Sequence, residues 1–191
     1  MTRGRLEAFS DAVIAIVMTI MVLELVPPPG ATLEDLVPLA PVFLAYVLSF
    51  VMLAVYWNNH HHLLQAARTV NGRVLWANMH LLFWLSLVPF GTAWIGQTSF
   101  APVPMACYGV VLLMAAFAYY FLVRALIGTP GQNEVIAAAI ATDVKGKISP
   151  LIYALAIPLA LVVPLASFAL HLLVGAMWIV PDPRIERRIS G

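Results

Sequence analysis

Residues 5–26 read RLEAFSDAVIAIVMTIMVLELV, and the fold turns on how this stretch is taken. It is apolar enough to cross a bilayer, yet it carries Arg5, Asp11 and Glu24, each costly at membrane depth unless paired or wetted. On a helix turning about 100° per residue, Ile16, Ile20 and Leu23 fall within about 60° of one another, with Thr19 on the flank of that stripe. Asp11 points to nearly the opposite side. A helix facing only lipid needs neither a hydroxyl in its aliphatic line nor a carboxylate behind it. The stretch reads as a spanning helix with one face lining something and the other locked into protein.

The whole chain agrees with a membrane setting. Its 191 residues are 62% hydrophobic and 10% charged, with a mean hydropathy of +0.94, too apolar for an ordinary soluble domain. The fold class is an all-α membrane protein. A formal charge of +1 and the lack of a basic cluster with interleaved aromatics point away from nucleic acid. Cys107 is the single cysteine, which excludes an intrachain disulfide and reads as a small buried hydrophobe. Arg3 and Arg5 before an apolar run suggest a signal peptide, but Asp11 and Glu24 interrupt the run and Pro27-Pro28-Pro29 replaces a cleavage site, so a retained first span is expected.

Hydrophobic runs predict six spans in one domain covering residues 1–191, over about 6–26, 39–62, 74–95, 105–126, 148–162 and 164–180. The fifth run is short for a span and contains Pro150 and Pro158, yet is read as a full crossing. Glu134 to Asp143 reads as a short helix at the membrane surface. Every basic residue then falls on one side: Arg3, Arg5, Arg68, Arg73, Arg124, Lys145, Lys147, Arg184, Arg187 and Arg188. The positive-inside rule makes both termini cytoplasmic, in a multi-pass plasma-membrane protein. Trp57, Trp76, Trp94 and Trp178 near span ends suit an interfacial belt, and the Arg184–Arg188 tail suits anionic lipid.

Arg5, Phe9, Ser10 and Asp11 at the start of a first span form an RxxxFSD pattern. It resembles the motif of the endosomal and lysosomal potassium channels called transmembrane protein 175, in their bacterial form, and the resemblance covers the six-run layout, the His/Asn/Trp-rich end of the second span and the basic tail. It implies a potassium-preferring cation channel lined by first-span side chains. By position after the motif Asp, Ile16 would form the main constriction, Ile20 and Leu23 would continue the pore face, and Thr19 would add a hydroxyl. Human-type members carry two six-span repeats per chain; one motif copy here implies a homotetramer around a cyclic axis. No TVGYG stretch occurs in the sequence, so selection would come from aliphatic rings that gate by dewetting.

The remaining motif residues look structural in service of that helix. A buried carboxylate at Asp11 needs a partner: Arg5, or the polar span ends holding Trp57, Asn58, Asn59, His60, His61, Asn78 and His80. The sequence does not choose among them. Glu24 would border the pore face at the outer mouth and concentrate cations there.

A metal or redox role for His60-His61-His62 meets the difficulty that consecutive helical residues point about 100° apart and cannot all bind one ion. His171, alone in the sixth span, reads as a satisfied core or interface residue. No metal, cofactor or enzymatic constellation is expected. A small secondary transporter would be expected to show internal repeats, and none is visible. A proton-permeable pore remains an alternative use of the same passage.

Overall fold

The computed structural model describes residues 2–129 and 144–179. The first helix, α1 (Arg3–Ile20), tightens into a single 3-10 turn, Met21–Glu24, short of the expected end at Val26. The cause is Pro27-Pro28-Pro29, which lack amide donors and push the preceding backbone out of the helical region. After a 3-10 turn at Glu34–Leu39 comes α2 (Ala40–Ala66), entered through Pro41. Its 27 residues rise about 40 Å against about 30 Å of hydrocarbon, so its His-rich last turns belong to the interfacial layer.

The third predicted span is two helices, α3 (Gly72–Ser86) and α4 (Val88–Gln97), joined at Leu87. Pro89 explains the break: it has no amide to donate and its ring crowds the carbonyl four residues back, that of Leu85. Asn71 caps α3 by accepting the Val74 amide at 3.1 Å, the usual service of an asparagine at that position. Ser99 and Phe100 then turn with φ of 48° and 62° into α5 (Pro102–Ile127). Next come α6 (Val144–Val162) and α7 (Pro164–Ile179). α6 starts before the run at Ile148 and so reaches 19 residues, enough to span despite Pro150 and Pro158. Five stretches among the described residues are long and apolar enough to cross a membrane, and the 16-residue α7 is a shorter apolar helix. The expected surface helix at Glu134–Asp143 and the Arg184–Arg188 tail lie outside the described residues.

Successive spans alternate in direction, with α3 and α4 continuing one way as a single span, and side-chain contacts fix which ends meet. Arg3 reaches the end of α2, where Nη1 donates to the carbonyls of Gln65 (3.1 Å) and Ala67 (3.2 Å), groups a helix end leaves unpaired. At that same end Asn71 Nδ2 donates to Thr129 Oγ1 at 3.1 Å. At the opposite end Phe100 packs edge-on against Phe168, centroids 4.8 Å apart, and Gln97 meets Glu24. Arg3, Arg5, Arg68, Arg73, Arg124, Lys145 and Lys147 therefore share one end, and Glu24, Glu34 and Asp35 the other.

The buried core draws on every described α-helix, and a polar chain runs through it where α2, α4 and α5 meet. Thr92 Oγ1 sits 2.6 Å from Ser49 Oγ, which sits 2.8 Å from Tyr108 Oη, all three buried. This keeps polar groups satisfied where water is absent. Gly96 lets α4 approach α2 to backbone distance: a Cβ there would lie 2.9 Å from Val42 Cα. Cys107, read as a small buried hydrophobe, is instead exposed on α5.

Gly96→Ala forces α4 off α2 and should cost about 1–3 kcal/mol, as overpacking does. Gly72→Ala, whose Cβ meets nothing within 4 Å, should not. Thermal unfolding of the purified protein in detergent separates the two.

Candidate functional site: the first helix and its anchors

α1 has two unlike faces. Leu6, Ser10, Ile14, Val17 and Met21 are buried at spacings of three and four, the signature of one helical face packed on protein. The far face is uncovered: Ile16 is 57% exposed, Ile20 45% and Leu23 74%, and Thr19 is exposed with them. Thr19 donates its hydroxyl hydrogen to the Ile16 carbonyl at 2.9 Å, which leaves its oxygen lone pairs turned outward as acceptors.

The packed face is held by polar bonds to two helices. Ser10 Oγ donates to the Leu6 carbonyl at 2.8 Å and accepts from Asn78 Nδ2 at 2.9 Å. Asn78 Oδ1 is then left for His60 Nε2 at 2.7 Å, so that nitrogen carries the proton. Ser10, His60 and Asn78 are each 0% exposed. This chain joins α1, α2 and α3 through groups that would be costly to leave unpaired.

Beside it runs a ladder between α1 and α2. Asp11 Oδ1 accepts from Trp57 Nε1 at 3.0 Å. Glu7 Oε1 lies 3.2 Å from His61 Nδ1, and His61 Nε2 faces Gln65 Nε2 at 2.8 Å. The Trp57 and His61 rings stack with centroids 5.8 Å apart. Each step of four residues back along α1 is matched by four forward along α2: Asp11 with Trp57, Glu7 with His61, Arg3 with Gln65. Helix geometry stacks residues four apart on one face, so two antiparallel helices meet in a fixed register.

Other expected members sit elsewhere. Arg5 is exposed and, among the described residues, makes no ion pair with Asp11. Six residues apart, the two point about 120° from each other on a helix. Phe9 lies 43% exposed toward the uncovered side. Asn59 turns to its own helix, Nδ2 donating to the Val55 carbonyl at 2.8 Å, and its carbonyl accepts from Tyr119 Oη at 3.2 Å. His80 accepts from Trp84 Nε1 at 2.9 Å within α3 and does not reach α1. Glu24 Oε2 accepts from Gln97 Nε2 at 3.1 Å. His171 is buried between the Tyr108 and Tyr153 rings. No group of three His, Cys, Asp or Glu among the described residues is placed to hold a metal ion.

Two anchors went unread in the sequence, Glu7 and Arg3. The signal was present: acidic residues at 7 and 11 match a His and a Trp at 61 and 57 in spacing. It becomes visible only once the helices are known to be antiparallel neighbours.

Comparison with known proteins places this arrangement. The family model described as endosomal/lysosomal potassium channel TMEM175 matches residues 5–89, the stretch that contains α1 from Arg5 onward, α2, α3 and, those of Arg3 aside, the bonds just described between them. A potassium channel of Chryseobacterium sp. (strain P1-3) is 49% identical over 190 residues, covering 100% of this chain and 99% of its own. A potassium channel of Streptomyces collinus (strain DSM 40733 / Tue 365) is 30% identical over 179 residues, 88% of this chain and 87% of its own. The crystal structure of a lysosomal potassium-selective channel TMEM175 homolog from Chamaesiphon minutus matches with a TM-score of 0.83 at 25% identity, over 93% of this chain and 96% of that one.

Asn78→Ala strands the His60 Nε2–H in the core and should cost about 1–3 kcal/mol, measured as a fall in thermal stability. Asp11→Asn keeps an oxygen for Trp57, whereas Asp11→Ala does not. Size-exclusion yields should show Asp11→Ala losing folded, assembled protein and Asp11→Asn retaining most of it. Normal assembly of Asp11→Ala with changed ion preference alone would contradict an anchoring role.

Proposed function

This chain belongs to the TMEM175 family of potassium channels, and from that premise we propose that it passes potassium in preference to sodium through a pore lined by α1 from several copies. The family is one of ion channels, not enzymes, and the apolar helices make the chain a multi-pass membrane protein. The observation that carries the finer reading is the division of α1: an aliphatic stripe left uncovered by its own subunit, opposite a face pinned by buried bonds. Four copies around a cyclic axis bring four such stripes together. Ile16 is the constriction, Ile20 and Leu23 continue the line, and Glu24 adds negative charge at the acidic end.

Selection in such a pore comes from dehydration. A ring of isoleucines excludes water when narrow and passes a partly stripped ion when slightly wider. Potassium sheds water more cheaply than sodium, so the ring favours potassium, and outward lone pairs of a Thr19 ring replace some of the lost water. No cofactor enters this scheme. The basic residues at the end shared by Arg3 and Lys145 support a reading in which that end is cytoplasmic in a plasma-membrane channel.

Bi-ionic reversal potentials of purified protein in planar bilayers test this. A tenfold preference corresponds to about 1.4 kcal/mol, which one elementary charge recovers over roughly 60 mV. Wild type should prefer potassium, Ile16→Asn should collapse the preference, and Thr19→Ala should reduce it by less. No current from well-folded oligomers under any gradient would overturn the reading.

A further inference from the structure

At the acidic end a cavity of about 220 Å³ opens between the Met21–Glu24 turn, the start of α2 and the end of α4. Leu25, Leu39, Val42 and Phe43 give it apolar walls, and Glu24 and Gln97 are its polar groups. Gln97 Nε2 donates to one Glu24 oxygen at 3.1 Å, and a neutral carboxamide leaves the charge uncompensated. Every Lys and Arg among the described residues sits at the other end of the bundle, and Glu34 and Asp35 add more negative charge to this one.

A part-exposed carboxylate bordering apolar walls suits a counter-charge attached to a hydrophobic body. A bare potassium or calcium ion gains little here, because hard cations need six or more oxygens and the walls offer carbon. We propose that this cavity binds an amphipathic organic cation: a primary ammonium on Glu24, its short aryl or alkyl tail against Leu25, Leu39 and Val42. Phe43 gives the cation an aromatic face. A soluble amine and the ammonium of an ethanolamine phospholipid carry the same chemistry at this depth.

The test is equilibrium binding of radiolabelled 2-phenylethylammonium to the purified, assembled full-length protein. Saturable binding near one per chain is expected, with at least tenfold weaker binding in Glu24→Gln at unchanged thermal stability. Phe43→Ala should weaken it as well, and neutral 2-phenylethanol should compete at least tenfold less well than unlabelled amine. Repeating the measurement in nanodiscs with and without phosphatidylethanolamine separates the sources: competition assigns the site to the lipid headgroup, and equal binding assigns it to a soluble amine. No saturable binding to wild type, or equal binding to wild type and Glu24→Gln, would overturn the proposal. Neither result depends on ion conduction.

Discussion

The bond on which the rest depends is the one Asn78 makes in two directions, from its amide nitrogen to Ser10 and from its oxygen to His60. Both partners are fully buried, and Ser10 is itself tied back to the Leu6 carbonyl. A polar chain of this kind adds modest net stability when complete and costs a great deal when broken. It therefore works as a rotational lock on α1, since turning the helix by one residue removes Ser10 from Asn78. The Asp11–Trp57 and Glu7–His61 pairs add register along the axis. Only because one side of α1 is held in this way can the other side carry Ile16, Ile20 and Leu23 uncovered in a defined direction.

Much of this was legible in the sequence. Length and hydropathy delimit the apolar helices, and the helical period separates the Ile16 stripe from Asp11. What was not legible has physical causes. Pro89 lies inside an otherwise uniform apolar run, so hydropathy passes over the break that separates α3 from α4. The partner of Asp11 depends on which neighbouring helix faces it, and every polar residue at the ends of two spans was a candidate. Arg5 had charge in its favour but the wrong angle; Trp57, with a neutral indole, had the right one. His80 and Asn59 are polar residues near the correct depth, but they bond to neighbours away from α1.

The charge arrangement gives the molecule a sense of direction. Among the described residues, basic side chains at one end, three carboxylates at the other and few charges between suit a bundle that spans a bilayer in one orientation. They also suit a cation pathway, because negative charge at one mouth raises the local cation concentration without forming a tight site. The Thr92–Ser49–Tyr108 chain and the Gly96–Val42 approach hold the helices behind α1, so the scaffold is built from close backbone contact and satisfied hydroxyls, as expected where lipid offers no hydrophobic drive between helices.

The central claim is that the uncovered face of α1 meets an aqueous ion pathway and its pinned face does not. Cysteine accessibility tests this most directly, in a Cys107→Ala background with a membrane-impermeant thiol reagent and potassium flux as the readout. Ile16→Cys, Thr19→Cys, Ile20→Cys and Leu23→Cys should react and lose flux on modification, whereas Ile14→Cys and Val17→Cys should be protected. Protection at Ile16→Cys and Leu23→Cys, with flux unchanged by the reagent, would show that the stripe faces lipid or protein and would contradict the account.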